Sequence, residues 1–385
     1  MHIGITAEWN PFHSGHLHMV AGLTAKYPDA LKTALMSGAF VQRGEPALFD
    51  KWSRASWAVM AGIDGVIEFP VTGVLQSADR FTDIAVQYLY RLGCTHIAFG
   101  TESLSADALE EAASFLLSEK YESRFQDNLK KGLPYASAAA RAMASLSLAL
   151  AEELSKPNNL LGLGYAVSIR KRKYPLTLMA IHRDTKHPIS ASAIRDSLLR
   201  RERAGDLPDF CKKAVLACMK EGQYADPARY DDACLLAGRM LSKADLFESN
   251  LFSEGLENRW YGCRLSPTYK DMLSHIKSKR YLYSRLRRIG ASLLLSAELP
   301  SPFTKTPRIS YARLLAFKGS SSSLLKTYTL PVISNFPSFI KQASPEDKKQ
   351  LLLEAKATDL QAFCMASPLF RNGGSDYYHA PVCIS

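Results

Sequence analysis

The sequence is poor in several features that would place a protein quickly. No apolar run in its 385 residues reaches the roughly 20 needed to span a bilayer, so no membrane association is expected. No basic segment precedes a hydrophobic one at the N-terminus, so no secretory signal is expected, and the chain is predicted to be cytoplasmic. Cysteine is sparse: the seven, at 94, 211, 218, 234, 263, 364 and 383, are odd in number, scattered and never spaced C-x-x-C. That argues against a disulfide framework and a structural zinc site, and fits a reducing compartment. Acidic residues are in deficit, 37 against 48 Lys and Arg, for a formal net charge of +11. Such a surplus suits a nucleic-acid partner, although many basic proteins bind none. There is no internal repeat, and the serine run at 320–323 is too brief to be a disordered tract.

What is present begins at the N-terminus. Residues 3–7 read as a short buried strand, Asn10-Pro11 punctuates it as a turn, and 17–25 carry an apolar run with helical potential. His13 and His16, spaced His-x-Gly-His around Gly15, therefore fall at the strand-to-helix junction of a βα unit. In open α/β sheets ligands bind at that junction, and the N-terminus of the following helix favours anions. Gly15 allows close backbone approach, and two imidazoles can donate to phosphate oxygens and stabilise charge on a leaving pyrophosphate. Alone, these four positions read equally well as a capped turn with one solvated and one packed histidine. A second pattern, Ile189-Ser190-Ala191-Ser192-Ala193-Ile194-Arg195, follows the apolar stretch 176–181 and opens another expected helix. Two hydroxyls and a guanidinium there suit one phosphate-sized site, whereas an isolated instance reads as serine N-capping. In this order, the two patterns resemble the paired signatures of the HxGH nucleotidylyltransferase superfamily. Its members cleave ATP between the α and β phosphates by direct displacement.

The first two hundred residues alternate further. Strands are expected at 31–36, 65–69 and 96–99, with helices over 50–61 and from behind Gln76-Ser77-Ala78-Asp79 to Leu92. Repeated βα units imply a parallel sheet with helices on both faces. The expected fold class is α/β, with a Rossmann-like nucleotidylyltransferase domain over 1–200 and a mainly α-helical C-terminal domain over 201–385. In that second half, alternation gives way to helical periodicity over 210–220, 231–241 and 265–288, and the residues from Phe370 on read as an irregular tail. Between Lys270 and Arg288 there are seven Lys or Arg against one acidic residue, with Tyr281 and Tyr283 among them. Basic residues mixed with aromatics suit an RNA backbone and an unstacked base, as they also suit a solvated amphipathic face; Lys279, Arg280, Arg287 and Arg288 are the RNA candidates, joined by Lys51, which reads equally as a surface charge.

A closer resemblance covers most of the chain. Glu8-Trp9-Asn10-Pro11-Phe12-His13-Ser14-Gly15-His16, Val41-Gln42-Arg43-Gly44-Glu45-Pro46-Ala47, Asp50-Lys51-Trp52, Gln76-Ser77-Ala78-Asp79 and Phe99-Gly100-Thr101-Glu102 are similar, in order, to the bacterial tRNA(Met) cytidine acetate ligase family. Pro157-Asn158-Asn159-Leu160-Leu161-Gly162, Ile181-His182-Arg183, Glu254-Gly255-Leu256-Glu257-Asn258-Arg259 and Lys279-Arg280-Tyr281 fit it too. The resemblance implies adenylation of acetate by ATP and acetyl transfer to the exocyclic amine of the wobble cytidine of elongator tRNA(Met); because a carboxylate must approach a phosphate, Mg²⁺ is expected beside Arg183 and Arg195 as a counter-charge. It also implies a nucleotide site made of Ala7, Glu8, Trp9, Asn10, Pro11, Phe12, His13, Ser14, Gly15, His16, Leu17, His18, Met19 and Val20, plus Gly100, Asn158 and Arg183. His13, His16 and Arg195 are the expected catalytic residues, with Ser190 and Ser192 beside the phosphates. No protein metal ligand is expected, Asp79 reads as a helix cap and His182 as a strand-packed histidine. The chain departs from the family at Ala39, where Asn is usual, which removes a donor and an acceptor from that loop. Two other readings compete: a cofactor-type nucleotidylyltransferase, and a tRNA-binding homologue without catalysis. Oligomeric state is left open.

Overall fold

The apolar runs separated by turn residues become ten strands in the computed structural model of the chain, which describes residues 1–182, 190–202, 206–278, 280–296 and 299–385. They are β1 (His2–Ala7), β2 (Leu31–Ser37), β3 (Phe40–Val41), β4 (Glu45–Pro46), β5 (Gly65–Phe69), β6 (His96–Thr101), β7 (Thr177–His182), β8 (Ala312–Lys318), β9 (Val332–Ile333) and β10 (Val382–Ile384). Five of these, in the order β5-β2-β1-β6-β7, pair in parallel. Successive side chains on a strand point to opposite faces. Leu35, Ile67, Ile97 and Phe99 therefore meet the helices Ala78–Arg91 and Pro157–Arg172 on one side. Ile3, Ile5, Ala34, Met36 and Val66 meet Ser14–Lys26 and Lys51–Met60 on the other. Burial of both faces explains why the strands read as nearly continuous apolar runs rather than as alternation.

Residues beyond 200 build this sheet as well. β8 runs antiparallel beside β5, with Ala316 opposite Val66, and both β9 and β10 pair in parallel with β8. The helix Asp209–Glu221 covers the same face as Ser14–Lys26, through Cys211 and Val215. The division expected at residue 200 is therefore not where the sheet ends. Between β7 and β8 the described regular elements are helical, and those from Pro227 to Leu295 enclose a separate core around Tyr230, Trp260 and Tyr269. The helical run expected over 265–288 is broken into Tyr269–Ile276 and Tyr283–Leu295, because Tyr281 turns into that core at 4% exposure. The chain from Phe370 is no irregular tail. It holds the helix Ser375–Tyr378 and β10, and Asp376, 1% exposed, lies 2.6 Å from the Lys51 Nζ and pairs with Arg313.

A buried polar chain ties the two halves together under β1. The His2 ring meets the Gly93 carbonyl through Nδ1 (3.1 Å) and Thr33 Oγ1 through Nε2 (2.7 Å), and Thr33 meets Tyr328 Oη (2.9 Å). The carbonyl can only accept, so Nδ1 carries the proton and Nε2 accepts from Thr33. Burial lowers the His2 pKa below its ordinary 6.5 and outweighs the opposing Gly93 bond. A base with a depressed folded-state pKa contributes stability above its unfolded value and loses it as pH falls toward the folded one. The melting temperature is therefore expected to drop as pH goes below about 6.5, and His2→Gln should flatten that part of the curve. An identical acid limb in wild type and variant would exclude His2 as its source.

Candidate active site

β1 is the strand at which the order reverses: β2 and β5 follow it to one side, β6 and β7 to the other. Side chains at the carboxyl ends of β1 and β6 therefore border a crevice that no crossover fills. A cleft of about 470 Å³ opens there. Of the residues predicted from the sequence, Ala7, Glu8, Trp9, Asn10, His13, Gly15, His16, His18, Met19, Gly100, Asn158, Ser190, Ser192 and Arg195 line it. Pro11, Phe12, Ser14, Leu17 and Val20 do not. Phe12 and Val20 are fully buried and Leu17 packs beside them against the sheet, as the helical period requires of that side of Ser14–Lys26, while the Ser14 hydroxyl donates to the Asp206 carbonyl. Arg183 lies outside the described residues.

The histidine pair realises the capped-turn reading of its motif, with His13 buried and His16 half-buried. His13 is the N-cap of Ser14–Lys26: its Nδ1 accepts the Gly15 amide at 3.1 Å, and His16 Nδ1 accepts the His13 amide at 3.3 Å. This reciprocal capping brings the ring centroids to 3.7 Å. With Nδ1 accepting on both rings, a neutral imidazole carries its proton on Nε2. The helix cap thus sets the tautomer that lets both rings act as donors to an anion in the cleft. The preceding turn is held from below. Trp9 has φ +43°, a left-handed conformation that costs a bulky side chain of order 1–2 kcal/mol. Buried Arg54 bonds the Glu8 carbonyl (2.6 Å), the Phe49 carbonyl (3.1 Å) and the Gly38 carbonyl, while Asn10 Oδ1 accepts the Leu48 amide at 2.8 Å.

Arg195, on the first turns of Ala191–Leu199, donates Nη1 to the Asn10 carbonyl at 2.7 Å and places Nη2 3.5 Å from Glu45. Ser190 caps the same helix by accepting the Ala193 amide at 3.2 Å, so the N-capping reading holds for it. Glu102 was missed as a site residue, although it ends β6's motif. Its carboxylate accepts the amides of Asn158 (3.2 Å) and Asn159 (3.0 Å) and the Asn158 side chain (2.8 Å), which fills the N-terminus of Pro157–Arg172. Tyr165 also lines the cleft and bonds Thr6 across β1; burial pushes its phenol up to about 12. Only the fold, which sets the helix beside β1, reveals it. Glu8 accepts the Gln42 amide at 2.8 Å, and desolvation raises its pKa against that bond. His182, expected to pack within its strand, instead borders the cleft.

The expected RNA contacts fare unevenly. Lys51 is corrected: it is fully buried, with Glu68 at 2.8 Å and Asp376 at 2.6 Å, and offers nothing to RNA. Arg280 is exposed, 3.9 Å from Glu254. Arg287 turns inward to Asp231 (3.0 Å) and Glu45 (3.7 Å), and Arg288 is half-buried. Lys279 lies outside the described residues. Tyr281 cannot stack on a base, since its ring lies in the core and its hydroxyl donates to the Glu254 carbonyl; Tyr283 stays exposed beside Lys277. Asp79 is in the first turn of Ala78–Arg91, where Ser77 is the N-cap. Ala39 is buried in the helical core and is not a cleft residue, so the missing amide does not thin the cleft wall.

A parallel sheet carrying this histidine turn at its switch point defines a nucleotidyl transferase, and a model of the family described as HIGH Nucleotidyl Transferase matches residues 1–376. The tRNA(Met) cytidine acetate ligase of Bacillus subtilis is 31% identical over 409 residues, which cover 99% of this chain and 96% of that protein. That of Caldanaerobacter subterraneus is 32% identical over 401 residues, 98% of each. The crystal structure of Thermotoga maritima TmcAL bound with alpha-thio ATP superposes with a TM-score of 0.90 at 29% identity, over 100% of this chain and 99% of that one. The chain belongs to the tRNA(Met) cytidine acetate ligase family of the HIGH nucleotidyl transferases.

Proposed function

We infer that this chain is an ATP-dependent tRNA(Met) cytidine acetate ligase that activates acetate as acetyl-adenylate and passes the acetyl group to the wobble cytidine of elongator tRNA(Met). The observation that carries the reading is the convergence of His13, His16 and Arg195 on one cleft at the β1/β6 switch point. In the first step an acetate oxygen attacks the α-phosphorus of ATP and the bond to the β-phosphate oxygen breaks, releasing pyrophosphate. His13 and His16 donate from Nε2 to the phosphates, and Arg195 holds the departing pyrophosphate. Holding acetate and ATP together in line removes most of the entropic barrier to their meeting. In the second step the cytidine amine attacks the acetyl carbonyl, AMP leaves and the amine proton passes to phosphate or water.

Charge balance bears on the metal. Glu8, Glu45 and Glu102 face the cleft with Arg43 and Arg195, so the described lining alone does not neutralise a triphosphate. Mg²⁺ carried in on ATP would supply that charge. Among the described residues no three His, Cys, Asp or Glu converge on a metal, and Mg²⁺ is proposed as a companion of the nucleotide. No helix among the described residues is long and apolar enough to cross a membrane. The test is acetate-dependent ATP–pyrophosphate exchange, followed by addition of elongator tRNA(Met) and a search for acetylcytidine. Both signals are expected. Exchange with no modified tRNA would remove the acetyl acceptor assigned here, neither exchange nor tRNA binding would favour a cofactor-type nucleotidylyltransferase, and tight tRNA binding without exchange would favour a homologue that has lost its chemistry.

A further inference from the structure

The hairpin of β3 and β4 stands between the cleft and the helical half, and one carboxylate on it meets a guanidinium from each side. Glu45 Oε1 is 3.5 Å from Arg195 Nη2, and its Oε2 is 3.7 Å from Arg287 Nε. Arg287 belongs to the helix Tyr283–Leu295 and sets its Nη2 3.0 Å from Asp231 Oδ1 on the helix Pro227–Met240. The hairpin is seated firmly. Tyr230 donates to the Gly44 carbonyl at 2.8 Å, and a Cβ at Gly44, where φ is +79°, would fall 2.4 Å from the Arg288 amide nitrogen. Side-chain exposures of Arg195, Glu45, Arg287 and Asp231 are 16, 26, 24 and 28%, so solvent screens these four charges incompletely.

We propose that Arg287 and Asp231 are positioning residues that set how strongly Glu45 holds Arg195, and through it the affinity of the cleft for the polyphosphate of its nucleotide. The proposal rests on the reading of Arg195 as a phosphate-binding group. Glu45 and phosphate compete for one guanidinium. Arg287 draws Glu45 away from Arg195, and Asp231 draws Arg287 away from Glu45. The helical half thereby tunes a site to which it contributes no direct ligand through these residues.

The competition predicts signs that a merely structural role does not. Arg287→Ala leaves Glu45 to Arg195 alone and is expected to raise the Kd for ATP roughly three- to tenfold, the scale of one partly desolvated ion pair. Glu45→Gln and Asp231→Asn should lower it, by roughly two- to fivefold. The Arg287→Ala, Glu45→Gln double variant should match Glu45→Gln, since Arg287 then has nothing to act through. Arg287→Lys should keep most of the wild-type affinity, and all differences should shrink at high salt. The measurement is equilibrium titration of the full chain with ATP in the absence of tRNA, with thermal melts confirming that each variant is folded. Uniform weakening in all variants, or an additive double variant, overturns the proposal. Wild-type protein that binds no ATP would instead overturn the reading of the cleft itself.

Discussion

His16→Ala is expected to lower acetate-dependent ATP–pyrophosphate exchange by at least ~10²-fold while leaving tRNA binding intact. A preorganised donor to a developing phosphate charge typically contributes two to three orders of magnitude to rate. His16 occupies that role on geometry. It lines the cleft, holds its ring centroid 3.7 Å from that of His13, and has its Nδ1 tied to the His13 amide, which leaves the proton on Nε2. The same side chain is half of a helix cap, so a fold-stability cost of about 1 kcal/mol accompanies the substitution. A modest fall in melting temperature with loss of exchange is the expected pattern. Exchange at the wild-type rate would remove His16 from the chemistry, and a collapse of the melt would show the cap to be its main duty. The exposed RNA candidate Arg280 precedes the helix Tyr283–Leu295 and does not line the cleft, which is why tRNA affinity should not follow His16.

Lys51→Ala is expected to cost about 3–5 kcal/mol of folding stability, the scale for removing one partner from a buried ion cluster. Lys51 Nζ lies 2.8 Å from Glu68 on β5 and 2.6 Å from Asp376, while Arg313 on β8 meets both of these carboxylates. Removing the ammonium leaves two buried carboxylates facing one guanidinium. Burial alone would raise the Asp376 pKa, but Lys51 and then Arg313 override it and hold it below 3.8. A carboxyl with a depressed folded-state pKa contributes stability above its unfolded value and loses it as pH falls through the folded one, so wild type should weaken below about pH 4. Urea unfolding at neutral pH, compared between wild type and variant, measures the first effect. A difference under about 1 kcal/mol would mean that Glu68 and Asp376 protonate or rearrange at little cost.

The resemblance in the sequence and the geometry of the cleft agree most closely where chemistry is local. The His-x-Gly-His turn is legible because a strand, a turn and a helix start follow one another within a few residues, and each side chain's direction follows from that local backbone. Four of the five parallel strands were legible for the same reason, since burial on both faces leaves continuous apolar runs, and the fifth, β7, was visible only as an apolar stretch. Glu102 was visible in its motif but not in its role, because an acidic residue ending a strand shows its duty only when a helix N-terminus is brought to it.

Tertiary structure decided the rest. A lysine or arginine in the sequence states its charge and not its face, and here the face depended on carboxylates far away in the chain. Lys51 is inside because Asp376 returns to it, and Arg287 turns inward because Asp231 and Glu45 await it. Tyr281 leaves the basic run for the helical core and breaks the helix there, a packing outcome that periodicity over 265–288 does not encode. The strands β8 and β10 join the sheet beside β5 because an antiparallel edge pairing links residues about 250 positions apart in the chain. The sequence by itself determined the histidine turn, four strands of the parallel sheet and the family. Only the tertiary structure decided which charges serve the cleft and which hold the two halves together, because ion pairs and edge-strand hydrogen bonds are made between segments whose separation no local pattern records.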